Sequence, residues 1–188
     1  TMPVFKDASH APVVPIATDM VSVSIEVSDP DGISSVILYY KPDRAKQSSS
    51  LIKARSLLSV TSSVYQEIPM ISDIGKNDGY YQYRARIPAH SAHQTVAFYI
   101  QATDKNGTIG TWPRDIRSPA LYRIEQGRGR FKPELASYRI VMQEDDVREI
   151  ERRPSLSNQM MNATFIFNET DIYYQVGCRW TGSPYRRG

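Results

Sequence analysis

The chain has 188 residues and a net charge of +3, which is room for one large domain or two small ones with a real core. That charge, with no five-residue basic run and no aromatics interleaved with a Lys/Arg stripe, argues against a nucleic-acid surface, and no stretch approaches the roughly 18 apolar residues of a membrane span. Twelve tyrosines, with Gly and Pro clustered between apolar runs, favour strands and turns over helices.

Residues 1–12 are small and proline-rich and are predicted to be a lead-in, with residues 13–17 a candidate first strand. Then Val21, Val23, Ile25 and Val27 alternate with Ser22, Ser24, Glu26 and Ser28, a period of two that marks a strand with one buried face. Asp29-Pro30-Asp31-Gly32 closes it with turn residues, Pro presetting φ and Gly accepting a positive φ. A strand follows over residues 34–41. Residues 46–50 are polar and read as loop, and residues 51–60 as a strand or an irregular insertion. Residues 65–70 read as a short edge strand, where Pro69 is tolerated.

Asp78-Gly79 turns the chain into a strand over residues 80–87, and the apolar run 95–102 reads as a central strand. It ends at a second acidic turn, Asp104-Lys105-Asn106-Gly107. A last strand over residues 121–125 follows a loop holding Trp112 and Pro113. Short strands at this spacing, divided by Gly/Pro/Asn/Asp turns, predict a mainly β fold, an all-β sandwich over residues 13–125.

Residues 126–134 are rich in Gly, Arg and Lys and read as a linker. Beyond it, residues 135–188 predict a partial α+β segment in β-α-β-β order. Its elements are a strand at 138–142, a helix at 144–152 with acids first and bases last, and a hairpin of 163–168 and 172–180. Such a segment is too short for a complete domain. It is expected to be the start of one, with a strand edge open to self-association.

Three constellations bear on chemistry. Asp29, Asp31, Asp104 and Asn106 lie on two turns that a sandwich brings to the same end, where their oxygens would suit Ca²⁺; plain turns select the same residues. Asn-x-Thr triplets start at Asn106, Asn162 and Asn168 and are glycan acceptors in a eukaryotic secreted chain, or coincidence. Near the end, Arg179 precedes the Gly/Ser turn of Gly182 and Ser183, with Arg186 and Arg187 after it. Exposed backbone N–H groups and an Arg fork there suit a phosphate, and a hairpin turn with a basic tail is the competing reading. No catalytic residue is assigned: nucleophile-elbow, P-loop, dinucleotide and zinc-protease motifs are all missing. The single Cys178 permits no internal disulfide, and His10, His90 and His93 form no metal-ligand pattern.

Two resemblances complete the reading. The segments VSVSIEVSDPDGISSVILYYKPD, GYYQYRARIPA and TVAFYIQATDKNG resemble the immunoglobulin/fibronectin-III-like modules of secreted bacterial multidomain proteins, over about residues 11–125. These modules serve as spacers or adhesive units. The segments YRIVMQEDDVREIERRP and NATFIFNETDIYYQVGCRWTGSP, over about residues 136–188, resemble the start of the spore-coat CotH family of atypical kinases. Cys178 departs from that pattern, which has an aliphatic residue there. The second resemblance implies an exported protein of the cell or spore surface whose parent uses ATP and Mg²⁺ on a protein substrate. It also implies that Arg179, Gly182 and Ser183 lie near the phosphates. On this reading the chain by itself is inactive and the sandwich is a presenting module. The alternative is a non-enzymatic adhesive module that binds carbohydrate or protein.

Overall fold

Alternation in the sequence becomes a buried face and a wet face. In β2 (Val21–Ser28) the residues Val21, Val23, Ile25 and Val27 are wholly buried and the four between them are not, as side chains alternating across a strand require. The computed structural model describes residues 1–43, 64–77, 79–127, 135–154 and 157–180. Their fold is mainly β, with one short helix and three antiparallel sheets.

The first sheet has the order β1-β2-β6-β5, from β1 (Val4–Ala11), β2, β6 (Tyr80–Ile87) and β5 (Ile71–Asn77). The second places β4 (Gln66–Pro69), β3 (Ile33–Pro42) and β7 (Thr95–Asp104) side by side. Because β3 takes one edge of β7 along its length, β8 (Ile109–Trp112) and β9 (Ala120–Arg123) must share the other, each pairing with half of it. The inner faces meet in one core: Val23 and Ile25 from β2, Ile87 from β6, Leu38 from β3, Phe98 and Ile100 from β7, and Tyr122 from β9. Each such side chain contributes about 1.5–3 kcal/mol by leaving water.

The third sheet, β10 (Tyr138–Val141), β11 (Met161–Phe167) and β12 (Asp171–Cys178), lies against the outer face of the second. Val141 and Ile166 bury there on Ala97 of β7 and Leu121 of β9. The first half of β7, residues 95–98, is therefore buried on both faces, and from Tyr99 onward burial alternates as in a strand with one covered face. Polar bonds seal the seam. Thr164 Oγ1 accepts the buried Leu121 N–H at 3.1 Å, Asn162 donates to the Pro119 carbonyl at 2.8 Å, and Gln175 donates to that of Ser118 at 2.9 Å. Half-buried Arg139 reaches Glu125 at 3.2 Å and Glu169 at 2.5 Å. The helix α1 (Glu144–Arg152) follows β10, and the Asp43 carboxylate accepts the Glu144 N–H at 3.3 Å. An acid at that end answers both the orphan amides and the helix dipole.

The structure departs from the sequence expectation in four places. The stretch 1–12, expected as a lead-in, holds β1; a register shift between Lys6 and Ser9, with Asp7 at φ +51°, hides its period. Residues 13–17 form no strand, and only Ile16 makes an isolated bridge, to Glu125. The expected edge strand at 65–70 is half of a corner: β4 pairs in the second sheet, buried Met70 turns, and β5 enters the first. Finally, β8 occupies what was read as loop. Gly110 fits closely there: a Cβ would sit 3.0 Å from the Pro3 carbonyl oxygen, so a side chain would have to push that neighbour back. The expectations for residues 51–60 and 128–134 lie outside the described residues.

Candidate functional site

The two acidic turns do converge. Asp29 folds back on its own turn, its Oδ1 accepting the Asp31 N–H at 2.8 Å while Gly32 adopts φ +82°. Asp104 does the same in the second turn: its Oδ1 accepts the N–H groups of Asn106 at 2.8 Å and Thr108 at 2.7 Å. A backbone bond from Lys105 N–H to the Gly32 carbonyl, 3.0 Å, ties one turn to the other. One oxygen each from Asp29, Asp31 and Asp104 then falls within 4.8 Å of the others. Asn106 enters through its backbone N–H, and its side chain is exposed.

The Asp104 side chain is fully buried, and its Oδ2 has no hydrogen-bond partner among the described residues. Burial alone would raise its pKa; hydrogen bonds from Thr108 and Asn106 and the nearby Thr1 ammonium hold it below the ordinary carboxylate range. Thr1 was not among the residues singled out from sequence. Its ammonium lies 2.9 Å from Asp31 Oδ2 and 3.9 Å from Asp104 Oδ2, and its hydroxyl donates to Asp29 Oδ2 at 3.0 Å.

The second candidate lies on the outer face of the third sheet. Tyr138, Phe165 and Tyr173 form an aromatic row there, with ring centroids 6.2 and 6.0 Å apart, and Ile140 is exposed beside them. A positive φ at Gln175 and a register shift opposite it turn Val176 and Cys178 to the same face. The result is an open groove of about 380 Å³, lined by Ile140, Met160, Phe165, Val176 and Cys178 and reaching Arg179. Arg179 is exposed and donates to the Asn158 side chain, while the Trp180 indole N–H donates to the Ile150 carbonyl at 3.0 Å. These bonds hold the strand end over α1. Gly182 and Ser183, the other expected phosphate contacts, lie outside the described residues.

Two further groupings were not visible in the sequence. On the second sheet Tyr39 and Tyr99 stack at 4.8 Å with 9° between their planes, and Tyr65 meets Tyr99 edge-on at 5.0 Å. Beneath the seam, buried His10 joins Tyr174, Tyr122 and Phe98 in an aromatic cluster. Two of the three Asn-x-Thr triplets do structural work: Asn162 and Thr164 bond across the seam, and Asn168 Oδ1 accepts the Ser137 N–H at 3.1 Å. No helix among the described residues is long and apolar enough to cross a membrane.

No family model and no curated protein matches the chain. Among solved structures it is similar to an uncharacterized protein of Listeria monocytogenes EGD-e, solved with glucose, magnesium and calcium. That match has 10% identity and a TM-score of 0.44, and covers 85% of this chain and 11% of the other. It is also similar to astrotactin-2, a vertebrate-specific, perforin-like membrane protein of neuronal development. There the identity is 15% and the TM-score 0.43, over 67% of this chain and 22% of the other. The chain thus spans a small part of either protein.

Proposed function

We propose that the chain is the presenting part of an exported bacterial surface protein. An immunoglobulin/fibronectin-III-like sandwich carries the nucleotide-side sheet of a CotH-like atypical protein kinase. The strand orders support the first half. With β1 to β9 read as strands A, B, C, C′, D, E, F and a divided G, the two sheets become A-B-E-D and C′-C-F-G, the arrangement of immunoglobulin-like Greek keys.

The observation that carries the second half is the groove beside Arg179 on the outer face of the third sheet. Its apolar wall suits a flat base, and a guanidinium at its end suits phosphate oxygens. The inner face is welded to the sandwich, so the sheet is held in one orientation while the outer face stays open. Phosphoryl transfer also needs a lysine, Mg²⁺-holding acids and a catalytic acid, which on this reading belong to the parent's remaining kinase sequence. Titrating ATP with Mg²⁺ into the parent protein tests it. Saturable binding, weakened about tenfold by Arg179→Ala, is expected; no binding, or binding indifferent to that change, defeats the kinase reading.

A second reading, an adhesive module, is favoured by the parallel Tyr39–Tyr99 stack. Flat aromatic pairs on a sheet suit the apolar faces of sugars. Glycan-array binding that Tyr99→Ala abolishes, with ATP binding absent, would replace the first reading by this one.

A further inference from the structure

We propose that the end of the first two sheets is a calcium site, built from Asp29, Asp31 and Asp104, that ties the two acidic turns together. Clusters of acids are common on surfaces and need no metal. This one differs in a single atom: Asp104 Oδ2 belongs to a fully buried side chain, has no hydrogen-bond partner among the described residues, and faces the space between the other two carboxylates. Leaving a carboxylate oxygen buried and unpaired is costly. The nearest positive charge, the Thr1 ammonium, stands 3.9 Å away, beyond hydrogen-bond reach.

The donor set selects the ion. Three carboxylates offering oxygen only suit a hard divalent cation, and their mutual separations, all within 4.8 Å, fit the span of ligands held at about 2.3–2.6 Å from Ca²⁺. Mg²⁺ keeps more of its water and is usually held by one or two carboxylates. The turns are fixed before the ion arrives. Asp29 and Asp104 each spend Oδ1 on a backbone N–H and leave Oδ2 for the centre, and the Lys105–Gly32 bond sets the spacing between turns.

The test is titration of CaCl₂ into the chelator-treated full chain, read by calorimetry and melting temperature. One Ca²⁺ per chain is expected, about tenfold tighter than Mg²⁺. Asp31→Asn, an exposed change that leaves the fold intact, and Asp104→Asn should each weaken binding at least about tenfold. No heat and no melting shift on adding Ca²⁺ overturns the site. So does Ca²⁺ binding that ignores both substitutions, and equal affinity for Mg²⁺ overturns the choice of ion.

Discussion

His10 on β1 and Tyr174 on β12, 164 residues apart in the chain, share a hydrogen bond of 2.5 Å between His10 Nδ1 and the Tyr174 hydroxyl. The other ring nitrogen, Nε2, lies 3.0 Å from the Val13 carbonyl oxygen, which can only accept. Nε2 therefore carries the proton, and Nδ1 accepts from Tyr174. This one contact links the first strand to the last. Tyr174→Phe keeps the ring and deletes the donor, so unfolding stability should fall by about 1–2 kcal/mol, measured in urea at pH 7. An unchanged midpoint would show that the bond adds nothing.

The same histidine sets a pH response. Burial pushes its pKa down to about 4 from the ordinary 6.5, against the weaker opposing pull of the Val13 carbonyl. A base depressed on folding contributes its full stability above pH 6.5 and loses it as pH falls toward about 4. A shift of that size corresponds to about 3 kcal/mol at most. His10→Gln should therefore be less stable than the parent at pH 7 and should lose less on acidification to pH 4. Parallel curves for the two proteins would remove His10 from the acid response.

Tyr122 makes the opposite prediction to its neighbour. Its hydroxyl is buried with no hydrogen-bond partner among the described residues, and its ring is wholly buried in the core. Tyr122→Phe should be neutral or should stabilise by up to about 2 kcal/mol, because it deletes a desolvated polar group and keeps the packing. A loss above about 1 kcal/mol would reveal a partner for that hydroxyl.

The seam between the second and third sheets should make the molecule melt as one unit. Leu121→Ala removes a fully buried side chain from that seam and should cost about 2–5 kcal/mol. Thr164→Val orphans the buried Leu121 N–H and should cost about 1–3 kcal/mol. In calorimetry both should lower a single transition. Two separate transitions in either variant would show that the third sheet folds by itself.

Legibility in the sequence followed how local each signal was. The strands β2 and β6, the helix α1 and both acidic turns depend on near neighbours: a period of two, a charge gradient along one helix, Gly at a positive φ. β1 and β8 were missed because a bulge and a glycine-bearing four-residue strand carry no such period. For the candidate sites, the acids of the calcium cluster were named from turn chemistry. Thr1 was not, since only folding brings it to them. The groove at Arg179 needs the irregularity at Gln175, which has no marker in residue type.

The sequence by itself determined that this chain is mainly β, where most strands start and stop, and which residues the two acidic turns present. Tertiary structure alone decided that the last three strands form a third layer, because Ala97 and Leu121 on one face of β7 and β9 gain a cover only when Val141 and Ile166 arrive. It also decided that His10 is neutral and that Asp104 Oδ2 is stranded. Both are consequences of desolvation, which depends on everything packed around a group and so cannot be read from its neighbours in the chain.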